Sequence, residues 1–266
     1  MAQAKSSSFE KFLPAMVVVM VGLAFAVGVL WQKVQGLEKG TVSGVSTAAT
    51  AQPAAAAPNT PKISLDTIKG LFDKDLVKFG DGGKKLLFVE IADPSCPYCS
   101  IAGGLNSDLN NTSAQFKLVK DGGSYIAPVP EMKKLVDDGK ASFVYIYYPG
   151  HGNGEMGMKA LYCANEKGKF WEAYDLIMNA KGYDLLNNQI KNDKTKSGDM
   201  ANYLKSVGDI KSCLDSGKYD ARLASDMQLA TSLGVQGTPG FFVNDINYAG
   251  AYSFKDMQST VDSALK

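Results

Sequence analysis

The chain holds a single histidine, His151, among 266 residues. That excludes any centre built from several imidazoles and leaves a Ser–His–Asp mechanism dependent on one side chain. A charge surplus is also lacking: 28 Lys plus Arg face 27 Asp plus Glu, for a net charge of +1. No electrostatic excess is present to gather nucleic acid by counterion release, so nucleic acid is not an expected partner. Four cysteines are too few for a disulfide-dense miniprotein, yet enough for one reactive pair and one staple. No internal repeat and no nucleotide-binding glycine pattern occurs. The apolar share of 45% and the charged share of 21% are those of a globular chain, which excludes wholesale disorder.

What is present begins with an uncharged run, AMVVVMVGLAFAVGVL, at 15–30. With Phe12, Leu13 and Pro14 before it and Trp31 after, it covers roughly 30 Å as a helix, one hydrocarbon core. Trp31 stands where an interfacial aromatic anchors such a helix. The run is longer than a signal-peptide core and no small-x-small cleavage site follows it, which disfavours a cleaved signal. Residues 12–31 are therefore expected to form one transmembrane anchor after a short cytoplasmic N-terminus at 1–11. Lys5 and Lys11 on one side balance Lys33 and Lys39 on the other, so counting basic residues does not orient it. Residues 32–62 read as a flexible linker: the 23 residues from Gly40 to Lys62 are mostly Ala, Thr, Ser, Pro and Gly, without charge before the closing lysine. The root-mean-square span of that stretch is roughly 25–30 Å. Residues 63–266 are left as the working domain.

In that domain LLFVEIA, Leu86 to Ala92, is an apolar β-forming run cut off by Asp93-Pro94, which predicts a buried strand. Cys96-Pro97-Tyr98-Cys99 follows. Proline is favoured at the first helical position, so Cys96 is expected at a helix N-cap directly after a central strand. There the orphan N–H groups and the helix dipole stabilise a thiolate. Cys99, one turn on, is the deeper residue, which makes Cys96 the exposed attacking sulfur and Cys99 the resolving one. Zinc sites and inert structural pairs use the same spacing. Zinc needs two further close ligands, and Cys163 and Cys213 are not a CxxC pair. Haem attachment places a histidine where Ser100 stands. No metal and no cofactor is expected.

Near the C-terminus Gly234 can end a helix, Phe241 to Val243 reads as a strand, and Asn244-Asp245 turns into 246–251. Thr238-Pro239 falls just before that strand. Between the two motifs lie a strand at 141–148 and a mostly helical stretch at about 150–233. Phe170, Tyr174 and Ile177 recur at i, i+4 and i+7, with Trp171 and Met178 on the same face. Met200, Tyr203, Leu204 and Val207 mark another helix, with Asp199 as its cap. Ser253 and Asp256 form a capping box for a closing helix with Phe254, Met257 and Val261 inward.

A strand, CPYC at a helix start and a late Thr-Pro before a hairpin resemble the thioredoxin fold. With the helical insertion, the segments VEIADPSCPYC, CANEKGKFWEAYDLI and CLDSGKYDARLASDMQLATSLGVQGTPGFFVN resemble the DsbA family of periplasmic disulfide oxidoreductases over about 63–266. The expected fold is α/β: thioredoxin-like with a helical insertion, preceded by one transmembrane helix and a flexible linker. The resemblance implies that Pro239 is cis and packs against the cysteines, that the Thr238 backbone pairs with a substrate strand, and that Pro97 and Tyr98 also meet substrate. It implies that Glu90 assists proton transfer to Cys99; the plainer alternative is a glutamate at a sheet edge or facing solvent. Tyr98 stands where the family's strong oxidases carry histidine, which implies a weaker oxidant. With Cys96–Cys99 taken as the redox pair, Cys163 and Cys213 are left to form a structural disulfide or to remain two buried thiols.

The implied activity is the introduction of disulfides into exported proteins by dithiol–disulfide exchange. The partners would be reduced or misoxidised exported proteins, a membrane reoxidising partner of the DsbB or VKOR type, and the membrane itself through 12–31. Such chemistry needs an oxidising compartment, so the expected location is the cell membrane, single-pass, with the catalytic domain on the extracytoplasmic side. The alternatives are a disulfide isomerase or reductase on the same fold, or a non-catalytic peptide-binding module. Two features depart from the family: Gly103-Gly104, expected to kink or stop the active-site helix at about 1 kcal/mol per glycine, and a polar stretch at 106–130. That stretch reads as a surface loop, with a lid or a partner contact as alternatives. His151 reads as a loop histidine, and Lys84 and Lys85 as solvated charges.

Overall fold

A computed structural model describes residues 63–266. The N-terminus at 1–11, the anchor expected at 12–31 and the linker at 32–62 lie outside the described residues. Among the described residues no helix is long and apolar enough to cross a membrane.

Five strands, β1 (Val77–Phe79), β2 (Leu86–Ala92), β3 (Ala141–Tyr147), β4 (Gly240–Val243) and β5 (Ile246–Ala249), build one sheet in the order β1-β3-β2-β4-β5. The LLFVEIA run is its central strand, parallel to β3 and antiparallel to β4. Every residue of β2 and β3 is buried, as expected of strands covered on both faces. Alternation divides β2 between two cores. Leu87, Val89 and Ile91 join Ile68, Leu71, Val144 and Phe242 on one side. Phe88 and Ala92 join Cys99, Tyr145, Tyr174 and Phe241 on the other, and Glu90 shares their face.

The helices are α1 (Leu65–Lys69), α2 (Pro97–Gly103), α3 (Ser107–Asn110), α4 (Pro128–Asp137), α5 (Glu155–Asn165), α6 (Phe170–Met178), α7 (Ala180–Asp184), α8 (Ser197–Tyr203), α9 (Lys211–Asp215), α10 (Asp220–Ser232) and α11 (Phe254–Leu265). From α5 to α10 they form the insertion between β3 and β4. On α6 the residues Phe170, Ala173, Tyr174, Ile177 and Met178 are buried, the face given by the 3.6-residue period. The insertion is tied to the sheet by Asp226 of α10, whose buried carboxylate accepts the Tyr162 hydroxyl at 2.6 Å, Arg222 Nε at 2.9 Å and the Tyr147 N–H at 3.2 Å. Cys163 of α5 and Cys213 of α9 are joined in a disulfide, with Cα atoms 6.0 Å apart. The capping box at Ser253 and Asp256 opens α11.

Two expectations need correction. Asp199 is not a cap: it lies in the first turn of α8, whose N-cap is Lys196. The capping carboxylate is Asp193, which accepts the Thr195 N–H at 2.9 Å and starts a turn that runs on into α8. The stretch at 106–130 is not a plain surface loop. α2 stops at Gly103, and Gly104 caps it in the left-handed region at φ 67°, where an added Cβ would also lie 2.6 Å from Ala127 Cβ. The chain leaves the helix there and, apart from the single turn of α3 and a 3-10 turn at Val119–Asp121, resumes helix only at Pro128. In between it folds on its own small core, where Leu118, Tyr125 and Ala127 pack with Ile101 of α2 and with Phe116.

Candidate active site

The site is assembled where β2 ends. Asp93 turns its carboxylate back under the loops: it accepts the Ser95 N–H and hydroxyl at 2.7 Å each, the Gly150 N–H at 2.7 Å and the His151 N–H at 2.8 Å. One buried carboxylate thus fastens the loop after β2 to the loop after β3. His151 takes part only through its backbone; its side chain is exposed. Cys96 donates its N–H to the Asp93 carbonyl at 2.9 Å and is the N-cap of α2, with Pro97 opening the helix.

Cys96 and Cys99 are both free thiols, and their environments drive them apart. The Cys96 thiol is pulled down from 9.0 to about 6, chiefly by a hydrogen bond from the Cys99 thiol, with the Thr238 side chain and the N–H groups of Cys99 and Tyr98 adding to it against the cost of burial. As a neutral thiol, Cys96 donates to the Thr238 carbonyl at 3.4 Å. Burial pushes the Cys99 thiol well above its usual range, and the neighbouring Cys96 sulfur adds to the rise. Cys99 Sγ accepts the Asp93 N–H at 3.5 Å.

Cys96 departs from expectation in one respect. It is the shallower residue, yet it exposes only 4% of its surface against 0% for Cys99, where an exposed sulfur was expected. The cover comes from two loops. Gly150 approaches so closely that a Cβ there would lie 1.8 Å from Thr238 Oγ1 and 3.6 Å from Cys96 Cβ. Thr238 meets the sulfur through its carbonyl at 3.4 Å, and the Thr238–Pro239 peptide is cis.

Glu90 is fully buried, neither at an edge nor facing solvent, and sits between Tyr145 of β3 and Phe241 of β4 in the sheet register. Burial raises its carboxyl from 4.5 to about 8, offset in part by a hydrogen bond from Tyr174. The Tyr174 hydroxyl donates to Glu90 Oε1 at 3.5 Å. The structure therefore places Cys96, Pro97, Tyr98 and Cys99 at the start of α2, the Thr238 carbonyl on Cys96 with Pro239 in cis linkage after it, and Glu90 near enough for its charge to act on Cys99, while Cys163 and Cys213 lie apart, in the insertion. Among the described residues no group of three or more His, Cys, Asp or Glu side chains is placed to hold a metal ion.

Beside the cysteines runs a cleft of about 770 Å³ lined by Tyr98, Phe116, Tyr125, Thr238, Gly250 and Tyr252, among others. Tyr98 is 51% exposed and meets Phe116 with ring centroids 5.8 Å apart; Phe116 meets Tyr125 edge-on at 5.7 Å. The segment at 106–130 thus supplies one wall of this cleft, which its polar composition does not advertise. Sequence reasoning also missed Asp93 and Gly150. The available signal was an aspartate directly before the proline that ends the strand. The arrangement supplies an acidified sulfur, a second sulfur one turn away to form or release a disulfide with it, and a buried carboxyl, raised by its burial, whose charge acts on that second sulfur.

Residues 130–263 match the family model described as Thioredoxin; they include Thr238-Pro239 and the insertion and begin after Cys99. Over 200 residues the chain is 26% identical to the Na(+)/H(+) antiporter NhaA 3 of Salinispora tropica, covering 73% of this chain and 25% of that protein. The chain spans about a quarter of the length of the curated relatives it matches. Among solved structures, a thioredoxin-like oxidoreductase from Silicibacter pomeroyi superposes with a TM-score of 0.50 at 23% identity, covering 74% of this chain and 96% of that one. Alpha-DsbA1 of Wolbachia pipientis superposes with a TM-score of 0.53 at 18% identity, covering 72% and 91%. These two likenesses concern the fold.

Proposed function

The chain belongs to the thioredoxin family, and from that premise we propose that it is a thiol–disulfide oxidoreductase that oxidises cysteines of exported proteins through Cys96 and Cys99. The fold, shared with DsbA-type neighbours, supports the reaction class. The observation that carries the reading is the divergence of two sulfurs one helical turn apart: Cys96 brought down to about 6 and Cys99 pushed up.

In the oxidised enzyme a substrate thiolate attacks Cys96, forms a mixed disulfide and expels Cys99. A second substrate thiolate then attacks the substrate sulfur of that mixed disulfide and expels Cys96 as a thiolate, leaving the enzyme dithiol. A stabilised Cys96 thiolate is a good leaving group, which favours donation of the disulfide to substrate. Peptide placed along the aromatic cleft and paired with the Thr238 backbone would bring its cysteine to Cys96, recognition by strand addition. Glu90, neutral beneath Cys99, is the acid that meets the expelled sulfur. A membrane partner of the DsbB or VKOR type restores the disulfide. The apolar run at 12–31 supports an anchor in the cell membrane, and the Cys163–Cys213 disulfide supports an oxidising, extracytoplasmic setting for the domain.

The test is an equilibrium titration of Cys96–Cys99 against glutathione, paired with refolding of a reduced protein that requires disulfides. The expected potential is less negative than roughly −220 mV, above the cytosolic glutathione poise, with stoichiometric transfer of the disulfide. A more negative potential would turn the direction to reduction, and no transfer at all would end the oxidase reading.

A further inference from the structure

Resting on the thiol–disulfide reading above, the geometry points to a proton route: the Tyr174 hydroxyl connects the sealed Glu90 carboxyl to solvent in a cleft separate from the one beside Cys96. Glu90 is fully buried. A carboxyl sealed from water that gives its proton to Cys99 is left as a buried anion until the disulfide closes again, a costly state that a proton supplied through a neighbouring hydroxyl relieves. The Tyr174 hydroxyl is the hydrogen-bond partner of Glu90 Oε1, and Oε2 has no partner among the described residues.

Tyr174 lies on α6 and reaches across to α2. With Gly103 it forms part of the lining of a surface cleft of about 290 Å³, bounded by Pro130, Lys133 and Asp175, although only 1% of its own surface is exposed, so its contact with the cleft is narrow. That cleft and the one beside Cys96 have no lining residue in common. The hydroxyl stands next to Gly103, where an added Cβ would lie 3.3 Å from it, so the glycine that ends α2 also leaves the phenol room. Tyr145, the cross-strand neighbour of Glu90, is not the link: its hydroxyl has no hydrogen-bond partner among the described residues and it lines neither cleft. The titratable groups facing Glu90 are Cys99 from α2, Tyr145 from β3 and Tyr174 from α6, while β4 presents Phe241. Toward the cleft Tyr174 is flanked by Asp175 on its own helix and by Lys133, Lys134 and Asp137 from α4.

Substrate attack makes the bond from substrate sulfur to Cys96 Sγ, breaks the bond from Cys96 to Cys99 and leaves the electron pair on Cys99 Sγ. Cys99 takes the Glu90 proton. Glu90 then takes the proton of the Tyr174 hydroxyl while Tyr174 takes one from water in the cleft, so the phenol is neutral before and after and no electrons pass through it. When the disulfide re-forms, the same protons travel outward. Burial holds the phenol well above its usual range, which keeps it a donor throughout. Tyr174 is thus a positioning residue that acts on Cys99 only through Glu90.

The test follows opening of the Cys96–Cys99 disulfide by dithiothreitol in the full chain, by rapid acid quench and thiol alkylation from about pH 5 to 9.5. Tyr174→Phe keeps the ring and removes the hydroxyl. It is expected to slow opening about tenfold near neutral pH, less than the roughly 10²–10⁴-fold of a general acid acting directly because Glu90 keeps its own proton, and to flatten the inflection of the rate with pH. The Cys96 thiolate absorbance should keep its midpoint. The wild-type rate in mixtures of light and heavy water should give a bowed plot, as two protons move together. A variant within twofold of wild type with the same pH profile overturns the relay and leaves the oxidoreductase reading standing. Should the variant fail to fold, the wild-type solvent plot decides, and a straight line overturns the relay. A wild-type protein whose disulfide does not open removes the reading and the relay together.

Discussion

Cys96 and Cys99 sit one helical turn apart at the mouth of the sheet, whereas Cys163 and Cys213 are 50 residues apart and meet only because α5 and α9 pack together. In the first pair a hydrogen bond from the Cys99 thiol, with the Thr238 side chain and N–H groups of the helix start, lowers Cys96, while burial raises Cys99. In the second, two helix surfaces hold the sulfurs at bonding distance. The contrast teaches that reactivity follows from asymmetry around neighbouring sulfurs, and that a staple follows from loop length. A thiolate near neutral pH requires donors aimed at one sulfur; a bridge between distant residues acts on the entropy of the unfolded chain.

The largest effect expected is loss of chemistry without loss of fold. Cys96→Ser should abolish disulfide transfer to a reduced test protein while thermal unfolding remains cooperative. If biological activity survives it, the domain is a binding module and the contrast between the pairs disappears. Next, the double change Cys163→Ala with Cys213→Ala should cost about 4 kcal/mol in urea denaturation, as the chain-entropy model gives for a loop of this length. The rate of exchange at Cys96 with glutathione should stay within about twofold. A large fall in that rate would show that the staple also shapes the reactive pair.

Asp93→Ala strands the N–H groups of Gly150 and His151, and should cost about 3 kcal/mol. It should also raise the alkylation rate of Cys96, because the loop that carries Gly150 is released. Unchanged alkylation would mean that the cover over Cys96 does not depend on this clamp.

The effects of pH refine the contrast last. The Glu90 carboxyl is raised in the folded state to about 8 from 4.5, so its contribution is fully present below the lower value and is lost as pH rises through about 8. Cys96 is lowered to about 6 from 9.0, so its contribution to the dithiol form is present above the higher value and is lost as pH falls through about 6. In the dithiol protein the two oppose each other; in the disulfide form only that of Glu90 remains. The disulfide form should therefore lose more stability between pH 5 and 9 than the same form of Glu90→Gln. Parallel urea midpoints for the two would refute the raised carboxyl.

Much of this was legible in the chain. LLFVEIA occupies the central strand over the residues expected, since a short apolar run cut off by Asp-Pro has no other stable place. Cys96 is the N-cap because Pro97 suits the first turn and no other position in a helix. The face of α6 follows from periodicity alone. The misses share a cause. Asp193 rather than Asp199 provides the capping carboxylate, because the turn before α8 decides where the helix begins. The segment at 106–130 looked like polar loop because its few apolar residues, Phe116, Leu118 and Tyr125, have no period, and they find partners only on α2 and beside Tyr98.

The sequence by itself determined the strand, the turn that begins the active-site helix, the two cysteines in order of depth and the resemblance to a disulfide oxidoreductase. Each of these rests on contacts between residues a few positions apart, where spacing dictates geometry. Tertiary structure alone decided how far Cys96 is covered, that Asp93 clamps two loops, that Glu90 is sealed and touches Tyr174, and that Cys163 reaches Cys213. Those contacts join residues far apart in the chain, and their geometry exists only once the sheet and the inserted helices have packed.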